Sequence, residues 1–186
     1  MTELVLALAV LASLALLIVP AAFHLKASVA VRSAAGEVGV ALYRARAEAV
    51  RRGRLVGVKF RKNGDRHEWA LYGDGNGNGV RTAEIASGVD RYLGVSLPWS
   101  RNDVMPGILE GTPVPEPSGY GWLDRIDDPI RFNVSDICSF SPVGESTPGS
   151  VYLWDGHDRM AVVRVFGRSA KIRALFHRRG ERVWTP

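Results

Sequence analysis

From Leu4 to Phe23 the chain runs through 20 residues without a charge, LVLALAVLASLALLIVPAAF, dominated by Leu, Ala and Val. At about 1.5 Å per residue a helix of that length spans roughly 30 Å, the thickness of a bilayer core, so the pattern predicts a membrane helix. A cleavable signal peptide has a basic flank and a shorter apolar core, whereas the flank here is Met1-Thr2-Glu3. Pro20 falls inside the run, where it removes one backbone hydrogen bond and bends the helix, which membrane helices tolerate. Glu3 stands at the mouth of the span. A carboxylate there is costly to bury, so it reads either as an interfacial residue or as a functional one.

Past Phe23 the helical spacing continues. Val31, Ala34, Ala35, Val38, Ala41, Leu42, Ala45 and Ala49 recur every three or four residues, while Arg32, Glu37, Arg44, Arg46, Glu48 and Arg51 fall mostly on other faces. Gly53 is the expected stop. The pattern predicts one long helix with a membrane half over residues 1–25 and an amphipathic half over 26–53 that packs on something. Ala, Ser and Gly along 7–15 and 27–39 permit close approach of other helices.

After Gly53 the period shortens. Residues 55–60 (LVGVKF) alternate as a strand, Asn63-Gly64-Asp65 supplies a turn, and residues 67–72 (HEWALY) read as the hairpin partner. Strands are also expected at 130–134, 150–154, 160–166 and 171–176. Residues 98–128 hold Pro98, Pro106, Pro113, Pro115 and Pro117 among Gly and Asp, and read as a long loop with little regular structure. The expected architecture is α+β: a long N-terminal helix packed on an antiparallel β-sheet domain covering 54–186.

Composition bounds the chemistry. The 186 residues suit one globular domain with an appended segment, and 46% apolar residues are enough for a core. The single cysteine, Cys138, excludes an internal disulfide or a CxxC site, and between Ile137 and Phe140 it reads as a buried structural thiol. The net charge of +5 comes from the ends: residues 53–158 carry 10 Lys or Arg against 15 Asp or Glu, whereas residues 159–186 carry 8 against 1. This disfavours a uniformly basic nucleic-acid binder but leaves a basic C-terminal patch.

Arg168, Lys171, Arg173, Arg178 and Arg179, with Phe166, Phe176 and Trp184 interleaved, could track a phosphate backbone; charges alternating on the solvent face of terminal strands are the plainer reading. Asp74, Asn76 and Asn78 with Gly79 have the spacing of the first half of a calcium loop, but position twelve is Ile85, not the bidentate Glu, and Glu84 is one residue short. A Gly-rich hairpin turn accounts for the stretch better. No HExxH, GxSxG or Walker A pattern is present, and His24, His67, His157 and His177 lack ligand spacing. The chain is expected not to be an enzyme and to need no cofactor, with calcium as the one candidate ion.

The run from Glu3-Leu4-Val5 to Pro20, Arg32-Ser33-Ala34-Ala35 and ARAEAVRRG at 45–53 resemble the GspH/FimT family of type IV pilin-like pseudopilins. WALYGDGNGNGVR at 69–81 resembles that family's hairpin with a D-x-N-x-N-G turn, and VVRVFGR at 162–168 its terminal strand and Gly-Arg turn. The family's prepilin peptidase site is a Gly followed by Phe-Thr-x-x-Glu; with Glu3 as the matching carboxylate, the Gly and Phe-Thr would precede Met1, and a start upstream is expected to supply them. Lys26, Arg32, Arg44 and Arg46 follow the span, so the positive-inside bias alone would leave the β domain in the cytoplasm, and a basic leader would reverse this.

The resemblance implies a pilin-like fold and a minor pseudopilin of a type II secretion system or type IV pilus. It implies a single-pass protein of the bacterial inner membrane, periplasmic domain outward, that is processed by prepilin peptidase, methylated and built into a filament or its tip. Glu3 and Pro20 are the implied assembly residues, Glu3 neutralising the N-terminal amine of a neighbouring subunit. The implied partners are other pilin-like subunits and inner-membrane assembly proteins. DNA-uptake members use C-terminal Arg residues near a Gly-Arg turn, which makes a DNA-binding minor pilin the alternative.

Overall fold

The helical spacing at the start of the chain is realised as one element, α1 (Thr2–Arg52). A computed structural model describes residues 2–63, 66–98 and 103–186, with side chains described for Glu3 and from residue 25 onward apart from 63–66 and 95–102. Gly53 ends α1 with φ +64, the left-handed conformation that costs a glycine nothing. The Gly53 N–H donates to the Val50 carbonyl and the Arg54 N–H to the Ala49 carbonyl, both at 3.3 Å, which is the Schellman arrangement.

The remaining elements are β1 (Val56–Asn63), β2 (Arg66–Gly73), α2 (Thr82–Ser87), β3 (Arg91–Pro98), β4 (Met105–Pro106), β5 (Ile130–Arg131), β6 (Ile137–Phe140), β7 (Gly149–Trp154), β8 (Arg159–Phe166) and β9 (Lys171–Arg178). They form two antiparallel sheets, one ordered β3-β2-β1-β6 and the other β4-β7-β8-β9 with β5 beside β7. Helix and sheets share a core in which Ala34, Val38, Ala41, Leu42 and Ala45 of α1 meet Val56, Val58 and Phe60 of β1 and Ala161 and Val163 of β8. The alanines keep the helix surface low, so both sheets reach it. Phe60 and Phe132 stack at 5.8 Å within this core.

The β1–β2 hairpin and the strands β7, β8 and β9 match the alternation read from the sequence; the turn at Gly64 and Asp65 lies outside the described residues. Three differences have local causes. The strand expected over 130–134 ends at Arg131, because Asn133 takes φ +55 and Val134 turns to solvent. The Gly-rich stretch after β2 is not a hairpin tip, since β2 reaches β3 through a loop and α2. The Pro-rich stretch holds β4 and a Pro115–Trp122 bridge. It covers the outer face of the second sheet, where Ile108, Leu109 and Val114 pack with Tyr152, Met160 and Val162.

Candidate assembly interface

At about 100° per residue, the exposed face of α1 gathers Leu25, Val29, Arg32, Gly36, Val40, Tyr43, Ala47 and Val50 into one stripe, opposite the face that packs on the sheets. Its five large apolar residues, Leu25, Val29, Val40, Tyr43 and Val50, are 54–66% exposed. Apart from the chain neighbours and the helix's own backbone, no heavy atom lies within 4 Å of where a Cβ would sit on Gly36 or Gly39, so the middle of the stripe is open. Arg32 is its one charge. Lys26, Glu37, Arg44, Glu48 and Arg51 are grouped on a flank instead. The half of α1 expected to be amphipathic packs one apolar face on the sheets and leaves a second, opposite apolar stripe exposed, with most of its charges between the two.

On that flank Glu48 accepts from Arg51 and Arg52, each 2.7 Å away. Those hydrogen bonds hold its carboxyl well below the usual range, at about 2. Glu3 sits exposed in the first turn of α1. Pro20 lies within the helical stretch, and its side chain, like those of the whole Leu4–Phe23 run behind the membrane-span expectation, is outside the described side chains. Among the described residues, no helix is long and apolar enough to cross a membrane.

The five C-terminal cations do not form one surface. Arg168 lies in the β8–β9 turn, and Lys171 and Arg173 begin β9, all three exposed. Arg173 stands directly across from Arg164 of β8, and Lys171 across from Phe166, so these four share the outer face at that end. Arg46 donates to the Ala170 carbonyl at 3.3 Å, which fixes the turn against the C-terminal part of α1. Arg178 is at the other end of β9, roughly 23 Å away at 3.3 Å per residue, ion-paired to Asp158 at 2.9 Å. Arg179 is committed to the fold: it donates to the Glu110 carbonyl at 3.0 Å, to Thr112 Oγ1 at 2.9 Å and to the His157 carbonyl at 2.9 Å, clipping the Pro-rich stretch in place.

The Asp74 loop directs its oxygens inward. Asp74 Oδ1 accepts the backbone N–H of Asn76 at 3.1 Å and of Gly77 at 2.7 Å, and Oδ2 that of Gly79 at 2.8 Å. Burial raises this carboxyl, and the backbone N–H groups outweigh it, leaving Asp74 below its ordinary value. The side-chain amides of Asn76 and Asn78 donate to Glu84 Oε1 at 3.3 and 2.7 Å. Gly75 is required, because a Cβ there would stand 1.9 Å from the Val89 carbonyl oxygen. Donors surround the Asp74 carboxylate where a cation would need open oxygens. Among the described residues, no group of three His, Cys, Asp or Glu is placed to hold a metal ion. Cys138 is buried, with Sγ 3.7 Å from the Thr147 carbonyl, and burial pushes its thiol up, away from the thiolate a nucleophile needs.

A long helix laid on antiparallel sheets, with apolar surface left over on the helix, is a pilin-like α+β fold. The profile of the family described as type II transport protein GspH matches residues 34–167, from the packed half of α1 to the β8–β9 turn, and the chain belongs to that family. It is thus a pseudopilin of type II secretion or pilus-like systems, a structural rather than an enzymatic family, which works beside other pseudopilin subunits. Neither the curated proteins nor the solved structures include a match. The exposed stripe is also visible as spacing in the sequence, at 25, 29, 36, 40, 43, 47 and 50, on the face opposite the packed positions.

Proposed function

We propose that the chain is a minor pseudopilin, anchored in the bacterial inner membrane by its N-terminal run with the β domain in the periplasm, that enters a pseudopilus or its tip by laying the exposed stripe of α1 against the helices of neighbouring subunits. The observation that carries this reading is the second apolar face of α1. A packed domain already satisfies the first face, and a stripe of this length in water costs free energy that burial between subunits recovers. Gly36 and Gly39 let a partner helix come close. Glu3, in the first turn, is the residue proposed to neutralise a neighbour's N-terminal amine. Processing by prepilin peptidase and N-methylation belong to the same reading.

The experiment is incorporation into filaments in the native bacterium. Val40→Glu with Tyr43→Glu is expected to leave the protein folded and membrane-bound but absent from sheared filaments, and Glu3→Ala to do the same. Normal incorporation of both variants overturns the reading.

A second reading, a DNA-binding minor pilin for uptake, is favoured by one arrangement: the Arg164–Arg173 cross-strand pair with Lys171, Arg168 and the exposed Phe166 beside it. Arg178 and Arg179 are left out of it. Every phosphate that a side chain neutralises adds about 0.9 to the log–log salt slope of binding. Arg173→Ala is therefore expected to flatten the slope by about that amount, and the absence of salt-sensitive DNA binding at low ionic strength discards this reading.

A further inference from the structure

Between α1 and the far ends of β8 and β9 lies a cavity of about 250 Å³ that shares only Arg32 with the exposed stripe and no residue with the basic turn. Arg32 comes from the helix, Arg159 from the start of β8 and Arg178 from the end of β9, with Ser28 and Thr185 also on its walls. The guanidinium of Arg32 lies over the Phe176 ring at 4.2 Å, which directs it along the cavity wall. Two carboxylates face these arginines. Asp158 is 2.9 Å from Arg178 Nε and 3.9 Å from Arg159 Nε, and Glu181 accepts the backbone N–H of Arg178 at 3.0 Å. Three guanidinium groups against two carboxylates leave the cavity positive.

Arg159 Nε is buried and makes no hydrogen bond, its ion-pair partner Asp158 standing 3.9 Å away. His177 is only 4% exposed, and burial lowers its pKa below the ordinary imidazole value despite Glu181 nearby, so it adds a neutral polar atom rather than a charge.

The cavity's place in the fold indicates the source of the anion. Ser28 and Arg32 lie roughly 8 and 14 Å along the helix from the end of the Leu4–Phe23 run. Their Cα–Cβ bonds tilt toward the helix N-terminus, that is, toward the run. A headgroup layer adds about 5–8 Å outside the hydrocarbon on each side, so a lipid phosphate and these side chains meet from opposite directions. Planar guanidinium groups match phosphate oxygens in pairs. We propose that this cavity binds the phosphate of a membrane lipid headgroup through Arg32, Arg159 and Arg178, holding the β domain against the membrane before assembly. The inference rests on the membrane-anchored reading above.

The test uses the full chain purified in non-ionic detergent, titrated with phosphatidylglycerol or with inorganic phosphate, with retained lipid read by native mass spectrometry and stability by thermal melting. Wild type is expected to retain one phosphatidylglycerol per chain. Arg32→Gln, on the helix surface and outside the Asp158 pairs, is expected to lower retention about tenfold, the worth of one charge-assisted hydrogen bond, with an unchanged melting temperature in the absence of lipid. Arg168→Gln removes the same charge at the far end of the domain and is expected to change nothing. Equal retention by wild type and Arg32→Gln overturns the proposal, as does an equal loss in Arg168→Gln. Stabilisation by inorganic phosphate without retained lipid overturns the lipid source. Flotation of the wild-type chain with phosphatidylcholine vesicles is measured beside it: failure to float defeats the anchor, whereas flotation without selective lipid retention defeats the cavity alone.

Discussion

The two apolar faces of α1 are made of different residues. The face against the sheets is mostly alanine, with Val31, Val38 and Leu42 filling the remaining gaps, and each of these is 4% exposed or less. The opposite face carries Leu25, Val29, Val40, Tyr43 and Val50 with two glycines, and is open. Small residues let a sheet, broad and already formed, come up to the helix along its whole length. Larger side chains separated by glycine gaps suit another helix, whose ridges fit between them. The same element thus makes one contact within the domain and leaves a second apolar face open, and most of its charges lie on the flank between the two.

Substitutions on the three surfaces separate these roles, and their effects on stability fall in order. Leu42→Ala, in the packed face, is expected to destabilise the folded chain by about 2–5 kcal/mol, from reduced burial plus a cavity, read as a shift of the urea midpoint in detergent. Ala34→Leu overfills the same face, and a cost of about 1–3 kcal/mol is expected; a smaller cost would mean that the helix–sheet contact is looser than its burial implies. On the flank, Glu48→Gln is expected to cost less than about 1 kcal/mol, because its pairs with Arg51 and Arg52 are solvent-screened. The sign of its pH dependence is fixed: the folded carboxyl titrates at about 2 against an ordinary 4.5, so the contribution is complete above 4.5 and is lost as pH falls through about 2. Wild type and Glu48→Gln should therefore converge in stability on acidification. Val40→Ala, on the open face, is expected to change stability by no more than about 0.5 kcal/mol while lowering filament incorporation. A large drop in stability there would mean that the stripe is part of the domain's own core.

Much of the fold was legible because it depends on local periodicity. The three-and-four spacing of Val31, Ala34, Val38 and Leu42 gave the packed face, Gly53 gave the stop, and alternation in β7, β8 and β9 gave the second sheet. Less local features were not legible. Nothing in Arg91–Pro98 or Ile137–Phe140 distinguishes an edge strand from a loop until β1 and β2 offer free edges. The Pro-rich stretch is ordered by contacts from far along the chain, Arg179 to Glu110 and Thr112 and the Trp184 indole N–H to the Pro115 carbonyl at 2.7 Å. For the sites, the basic C-terminal residues were visible as a group. That strand β9 separates Arg168, Lys171 and Arg173 from Arg178 and Arg179 depends on register, which composition does not carry. The Asp74 spacing suggested a cation loop, and only the directions of the Asn76, Gly77 and Gly79 N–H groups give its carboxylate an internal role.

The role of the open face of α1 is tested most directly by photocrosslinking in the native membrane, with a photoreactive phenylalanine analogue placed at Tyr43 and, for comparison, at Val134, which is fully exposed on the β domain. A discrete adduct between position 43 and another pilin-like subunit is expected, and none from position 134. Absence of the adduct from position 43 in cells that assemble filaments, or equal adducts from both positions, would contradict the assembly role of this face.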